Sequence, residues 1–289
     1  MRLASKTIAM SPQAGRMSFD IVRGSPAREY FKYVPETASS ESPVIVLVHG
    51  VTRRAAEQVF RFRALADRAG AILIAPYFSR SAFGLYQQVA DPKSGARADL
   101  ALLDMLEAIG NETGAAIERV YLFGYSGGAQ FVHRFVMLYP ERAAAMLVAS
   151  AGWYTFPDER LPYPYGIANS PLPGEIEPRR FLAVERHILV GAQDTGRGDN
   201  LRVSRKIDTL QGTNRLERAR RWFQAMGAAS RHYDVRPPRE SFEIIPGVGH
   251  SFANSARRRS LPERVMSHIF PDIPEFHQKR GTNQCKNSD

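Results

Sequence analysis

The stretch Val120-Tyr121-Leu122-Phe123-Gly124-Tyr125-Ser126-Gly127-Gly128-Ala129-Gln130-Phe131-Val132-His133 decides how this chain folds. Its first four residues form an apolar run of strand type, and from Ala129 to Tyr139 the apolar residues recur at helical spacing. Between them stands Gly124-Tyr125-Ser126-Gly127-Gly128, a G-x-S-x-G pattern. The pentapeptide alone is weak evidence. A strand directly before it and a helix directly after it supply the setting in which a serine rides on a sharp, strained turn. Side chains at Gly124 and Gly128 would collide with the neighbouring strand and helix, so glycine there has a steric reason. The helix then aims its unpaired N–H groups and partial positive charge at the serine, and the Gly127 amide is the expected donor to an oxyanion.

Working outward, Val44-Ile45-Val46-Leu47-Val48 is a continuous aliphatic run of the kind buried on both faces of a parallel sheet. Before it, Phe19 to Val22 and Glu29 to Val34 read as an entry hairpin around Gly24-Ser25-Pro26. After it come a helix over Ala55 to Ala69, a strand over Ala71 to Ala75 and a helix over Ala98 to Ile109. Beyond the serine turn lie a strand over Ala145 to Ala149, a strand over His187 to Val190, a helix over Leu216 to Met226, a strand over Phe242 to Ile245 and a helix over Pro262 to Phe270. Such alternation predicts an α/β fold, a mostly parallel central sheet with helices on both faces. Tyr154 to Pro178, rich in Pro, Tyr and Gly, interrupts the rhythm as a short loop-rich insertion after the sixth strand. The sequence predicts a single domain, its core over about residues 19–272, with residues 273–289 as a polar, mobile tail.

A serine hydroxyl is a poor nucleophile at neutral pH and requires a base. Of the seven histidines, His250 is placed best, in the glycine loop Pro246-Gly247-Val248-Gly249-His250 directly after the last strand. His133 falls within the helix after the turn and His187 opens a strand, while His232, His268 and His277 sit in polar surroundings, so all five read as structural. The imidazole needs an acid to hold its tautomer, and Asp194 ends the strand-and-turn segment His187 to Gln193. Asp199 is the alternative, though an aspartate among glycines more often forms a turn. His49 precedes Gly50 at the end of the first central strand and is assigned to structure, its ring bonding nearby backbone. There the Val51 amide is the expected second oxyanion donor, with Thr52 as the fallback. Trp153 and Tyr154, after the next strand, and Tyr125, beside the serine, are candidates to line a substrate pocket, with core packing the alternative for Trp153.

Composition narrows the remaining classes. Lys and Arg number 39 against 29 Asp and Glu, a net charge of +10, but arginine is dispersed, so nucleic-acid binding is not expected. The densest group, Arg257 to Arg259, reads as a solvated surface turn that could at most draw anionic substrates. One cysteine, Cys285, permits neither an intramolecular disulfide nor a cysteine zinc cluster. There is no apolar run of about 20 residues for a membrane span, and the first residues never build the apolar stretch of a secretory signal, so a cytoplasmic location is expected. Neither a GxxxxGK[ST] phosphate loop nor an HExxH zinc pair occurs, and no metal is expected. Oligomeric state is not legible.

Over about residues 40–270 the chain resembles the α/β-hydrolase superfamily, with the triad order Ser126, Asp194, His250. Leu47-Val48-His49-Gly50, Gly124 to Gly128, Ala151-Gly152-Trp153-Tyr154 and Gly191-Ala192-Gln193-Asp194 are similar to the polyhydroxybutyrate-depolymerase-like and feruloyl-esterase-like branch. The resemblance implies a serine esterase without metal or organic cofactor, acting on a small or oligomeric ester. Secreted members of that branch carry signal peptides, disulfides and substrate-binding modules, none of which is read here, so polyester and aryl or feruloyl-type esters stay as candidate substrates while action on solid polymer is left open. The rival readings are an amidase or peptidase on the same fold and a non-catalytic binding module with a basic surface.

Overall fold

The computed structural model describes residues 14–172, 174, 176–198 and 200–276. The expectations for the N-terminal residues, Asp199, His277 and Cys285 lie outside these. Eight strands form one sheet in the order β1-β2-β4-β3-β5-β6-β7-β8. They are β1 Met17–Val22, β2 Arg28–Tyr33, β3 Val44–Val48, β4 Ile72–Pro76, β5 Val120–Tyr125, β6 Ala143–Ala149, β7 Glu185–Gly191 and β8 Glu240–Ile245. The hairpin β1–β2 is antiparallel and joins β4 antiparallel, while every pairing from β4 through β8 is parallel.

Parallel strands need crossovers, and these are α1 Ala55–Ala69, α2 Ala98–Thr113, α3 Gly127–Leu138, α4 Pro178–Leu182, α5 Arg205–Gln211 and α6 Arg215–His232, with α7 Phe252–Arg259 and α8 Leu261–Ile269 following the last strand. Because side chains alternate along a strand, β3 sends Val44, Val46 and Val48 to one core and Ile45 and Leu47 to the other. The first core is closed by α2, α3 and α6, the second by α1 and α8. Both faces are covered, which is why β3 to β6 read as apolar runs, whereas β7 is buried throughout but opens with Glu185-Arg186-His187 before its apolar stretch. β1 is an edge strand, with Phe19 against Phe31 at 5.0 Å.

Two expectations are corrected, and a helix appears where none was expected. Arg257, Arg258 and Arg259 form the last turn of α7, where cations meet the negative end of the helix dipole, and are not a turn. Packing does not stop at residue 272. Phe276 is buried against Phe270, at 6.2 Å between rings, with Arg68 over its face. Finally, α5 was not expected: Ser204 caps it by accepting from the Ile207 amide, but it is only seven residues long.

Candidate active site

Every residue of the site lies at the C-terminal ends of the parallel strands or in the turns that leave them, where open α/β sheets bind ligands. Ser126 stands between β5 and α3 at φ 56° and ψ −112°, a strained conformation for a residue with a Cβ. Its amide donates to Ala149 O on β6 at 2.8 Å, which holds the turn against the next strand. A Cβ on Gly128 would stand 1.9 Å from Val48 O, and one on Gly124 would stand 2.3 Å from Gly128 O. The close approach of α3 to β3 and β5 is thus possible only with glycine at these two positions.

His250 leaves β8 through a loop tied to the neighbouring one, since Gln193 N donates to Val248 O at 2.9 Å and Ala192 N to Ile245 O at 2.8 Å. Ser251 caps α7 through the Asn254 amide, fixing the chain immediately after the imidazole. His250 Nε2 lies 2.9 Å from Ser126 Oγ, and its Nδ1 lies 2.9 Å from Asp194 Oδ2. Asp194 is 1% exposed and Ser126 7%. Tyr125 lies almost parallel to the imidazole, at 5.5 Å and 25°, and Phe252 meets Tyr125 edge-on. Burial raises the Tyr125 phenol above its ordinary range, and the nearby Asp194 carboxylate adds to the effect.

His49 takes no part in this relay. Its Nδ1 bonds Gly50 O at 2.8 Å, and its Nε2 accepts from the Phe78 amide at 3.1 Å, which fixes a neutral tautomer. Burial pushes its pKa down to about 4. Gly50 O also accepts from the Arg53 amide at 2.9 Å. In a trans peptide the C=O and the following N–H point in opposite directions, so clamping Gly50 O orients the Val51 N–H. A Cβ built on Gly127 would stand 3.3 Å from the Val51 nitrogen, so the two amides are neighbours. The amides of Val51, Thr52 and Gly127 donate to no other described residue.

The cleft over Ser126 encloses about 240 Å³. Tyr125 lines it, together with Thr52, Arg54, Asn200, Phe252 and Ala253, most of which no motif indicates. Trp153 and Tyr154 do not reach it. Tyr154 is wholly buried, stacked on Trp222 at 4.6 Å and held through its backbone by Gln211 at 2.8 and 2.7 Å. Trp153 is packed between the guanidinium groups of Arg134 and Arg202, at 4.5 and 5.1 Å. Both side chains therefore serve packing, because the chain after β6 turns them toward α3, α5 and α6. A larger cavity, about 440 Å³ between the insertion and α6, contains none of the relay residues. Among the described residues no cluster of three or more His, Cys, Asp or Glu could hold a metal ion, and no helix is long and apolar enough to cross a membrane.

Such a relay can withdraw the hydroxyl proton of Ser126 through the imidazole and deliver it to a departing group, with unpaired amides alongside. No family model matches the chain. Over 121 residues it is 28% identical to feruloyl esterase B of Talaromyces funiculosus, a match covering 40% of this chain and 34% of that protein. The chain thus spans about a third of the length of the curated relative it matches. Among solved structures, a poly(3-hydroxybutyrate) depolymerase of Bordetella parapertussis superposes with a TM-score of 0.75 at 27% identity, over 91% of this chain and 94% of that one. Poly(aspartic acid) hydrolase-1 of Sphingomonas sp. KT-1 also reaches 0.75, at 23% identity over 86% and 98%. An S-formylglutathione hydrolase of Agrobacterium tumefaciens reaches 0.59 at 14% identity over 90% and 96%. By its sheet order and these likenesses the chain has the α/β-hydrolase fold, and it is similar to the poly(3-hydroxybutyrate) depolymerase and, over part of its length, to the feruloyl esterase.

Proposed function

We propose that this protein is a serine esterase that hydrolyses carboxylic esters through an acyl-enzyme, with Ser126 as nucleophile, His250 as general base and Asp194 as the acid that orients it. The observation that carries the reading is the hydrogen-bonded sequence Ser126 Oγ, His250 Nε2, His250 Nδ1, Asp194 Oδ2, with both steps at 2.9 Å, beneath a cleft. Ser126 Oγ attacks the ester carbonyl while His250 takes its proton. The carbonyl oxygen becomes an oxyanion beside the amides of Val51 and Gly127, each such donor contributing about 3 kcal/mol to the transition state. The proton passes from His250 to the alkoxide, the alcohol leaves, and water repeats the sequence to free the acid and Ser126.

Small, oligomeric or aryl esters are the proposed substrates, a class supported by the likeness to a feruloyl esterase and a poly(3-hydroxybutyrate) depolymerase. The single cysteine in 289 residues supports a cytoplasmic location as part of the same proposal. A fluorophosphonate probe tests the site. Stoichiometric labelling that disappears in Ser126→Ala is the expected result, and an unlabelled native protein sinks the reading. Matched p-nitrophenyl esters and anilides then separate esterase from amidase, with the ester turned over faster. Ser126→Ala should lower kcat/KM by at least about 10⁴-fold.

A further inference from the structure

The hydrogen-bonded sequence does not end at the carboxylate. Arg215, the first residue of α6, has a side chain only 4% exposed, and its Nη1 lies 3.5 Å from Asp194 Oδ1, the oxygen that His250 does not use. Its Nη2 donates to Asn200 O at 2.9 Å, and the Leu216 amide beside it donates to Asp194 O at 3.3 Å. Both carboxylate oxygens therefore have a cationic or imidazole partner, and the backbone of the same residue is held by the first turn of α6. We propose that Arg215 is a positioning residue of this site, fixing the Asp194 carboxylate plane and setting the electric field at His250. The inference rests on the esterase reading given above.

Two physical arguments support it. A buried carboxylate held by one partner can rotate, whereas one held at both oxygens presents a fixed acceptor to the imidazole. Charge is the second. When His250 accepts the Ser126 proton it becomes a cation, and a buried guanidinium behind Asp194 opposes that charge through a poorly screening interior. The other groups facing the imidazole are Asp194 after β7, Tyr125 on β5, and Arg54 and Glu57 at the start of α1. Arg54 and Glu57 lie 3.7 Å apart and Arg54 is 70% exposed, so solvent and each other's charge weaken their field. Arg215 is the cation whose field is least screened.

The test is the dependence of kcat and KM on pH for a p-nitrophenyl ester, in the native protein, Arg215→Met, Arg215→Lys, Asp194→Asn and the double variant Asp194→Asn/Arg215→Met. In Arg215→Met, kcat should fall about 10- to 100-fold, KM should stay within about threefold, and the acidic limb of the profile should move up by about one pH unit, because forming the imidazolium is no longer opposed. Arg215→Lys restores the charge and should return the limb to its native position with part of kcat. In the Asp194→Asn background, losing Arg215 should cost less than about threefold, since the residue acts through the carboxylate. The double variant leaves no unpaired buried charge, so it decides the matter even where Arg215→Met does not fold. An unshifted limb in Arg215→Met, the same shift in Arg215→Lys, or a further loss of tenfold or more in the double variant overturns the inference. A native protein inert to both ester and fluorophosphonate overturns the site reading itself, whereas an active native protein with unaltered Arg215 variants overturns only this step.

Discussion

His49 and His250 line one cleft, and what separates them is the partner on each ring nitrogen. His49 has both nitrogens on backbone groups and a pKa pushed down to about 4 by burial, so it stays neutral in the folded protein. The unfolded chain, by contrast, protonates this imidazole below about pH 6.5. Between those limits the unfolded state binds more protons, so stability falls as pH falls, by about 3 kcal/mol for His49 across the whole window. Buried His133, whose pKa burial also holds well below the ordinary imidazole range, adds to the same slope. Thermal melts between pH 7 and 4 should show the decline, and His49→Asn, less stable at pH 7, should show a shallower one; an unchanged slope refutes the attribution. The placement of these rings could be read from sequence because each stands in a recognisable place, after a strand or inside a helix. Arg215 could not, because nothing local marks a helix-opening arginine as the neighbour of an aspartate 21 residues away.

Elements were legible wherever apolar periodicity was strong. The strand over 44–48 and the helix over 55–69 were expected at the observed bounds, because buried aliphatic runs and a helix closed by Gly70 at φ 59° leave little freedom. α5 and α7 were not, since they bury only Ile207 and Gln211 in one and Ser255 in the other, and no apolar face shows in so short a stretch. The turn between β5 and α3 gives a sharp expectation at this scale. Gly128→Ala forces a methyl group onto Val48 O, so α3 must move off β3, with a loss of about 3 kcal/mol or more and of fluorophosphonate labelling. A variant that melts within 2 °C of native, on the order expected for a neutral change, contradicts this packing. Trp153, read from sequence as either a pocket or a packing residue, was left open for a related reason: proximity along the chain to the end of β6 suggests the cleft, and only tertiary packing turns the indole toward two arginines. Trp153→Ala should therefore cost about 3 kcal/mol in denaturant unfolding while KM for a short ester stays within about twofold. A large KM increase with unchanged stability would return Trp153 to the cleft.

For the whole molecule, the net charge of +10 belongs to dispersed arginines, so its effect is a long-range field. At low ionic strength an ester carrying a carboxylate should show a higher kcat/KM than its neutral isostere, and the advantage should shrink as salt rises toward 0.15 M, where the screening length is about 8 Å. Identical salt responses for the two esters exclude that steering. The site itself is a product of the completed sheet: Ser126 and His250 are 124 positions apart, and His250 and Asp194 are 56 apart. During synthesis at roughly 5–20 residues per second, Ser126 is made roughly 6–25 s before His250. The nascent chain therefore carries its hydroxyl unactivated until β8 pairs with β7, so on the proposed function reactivity arrives with the last strand, and esters near the ribosome are safe from an unfinished enzyme.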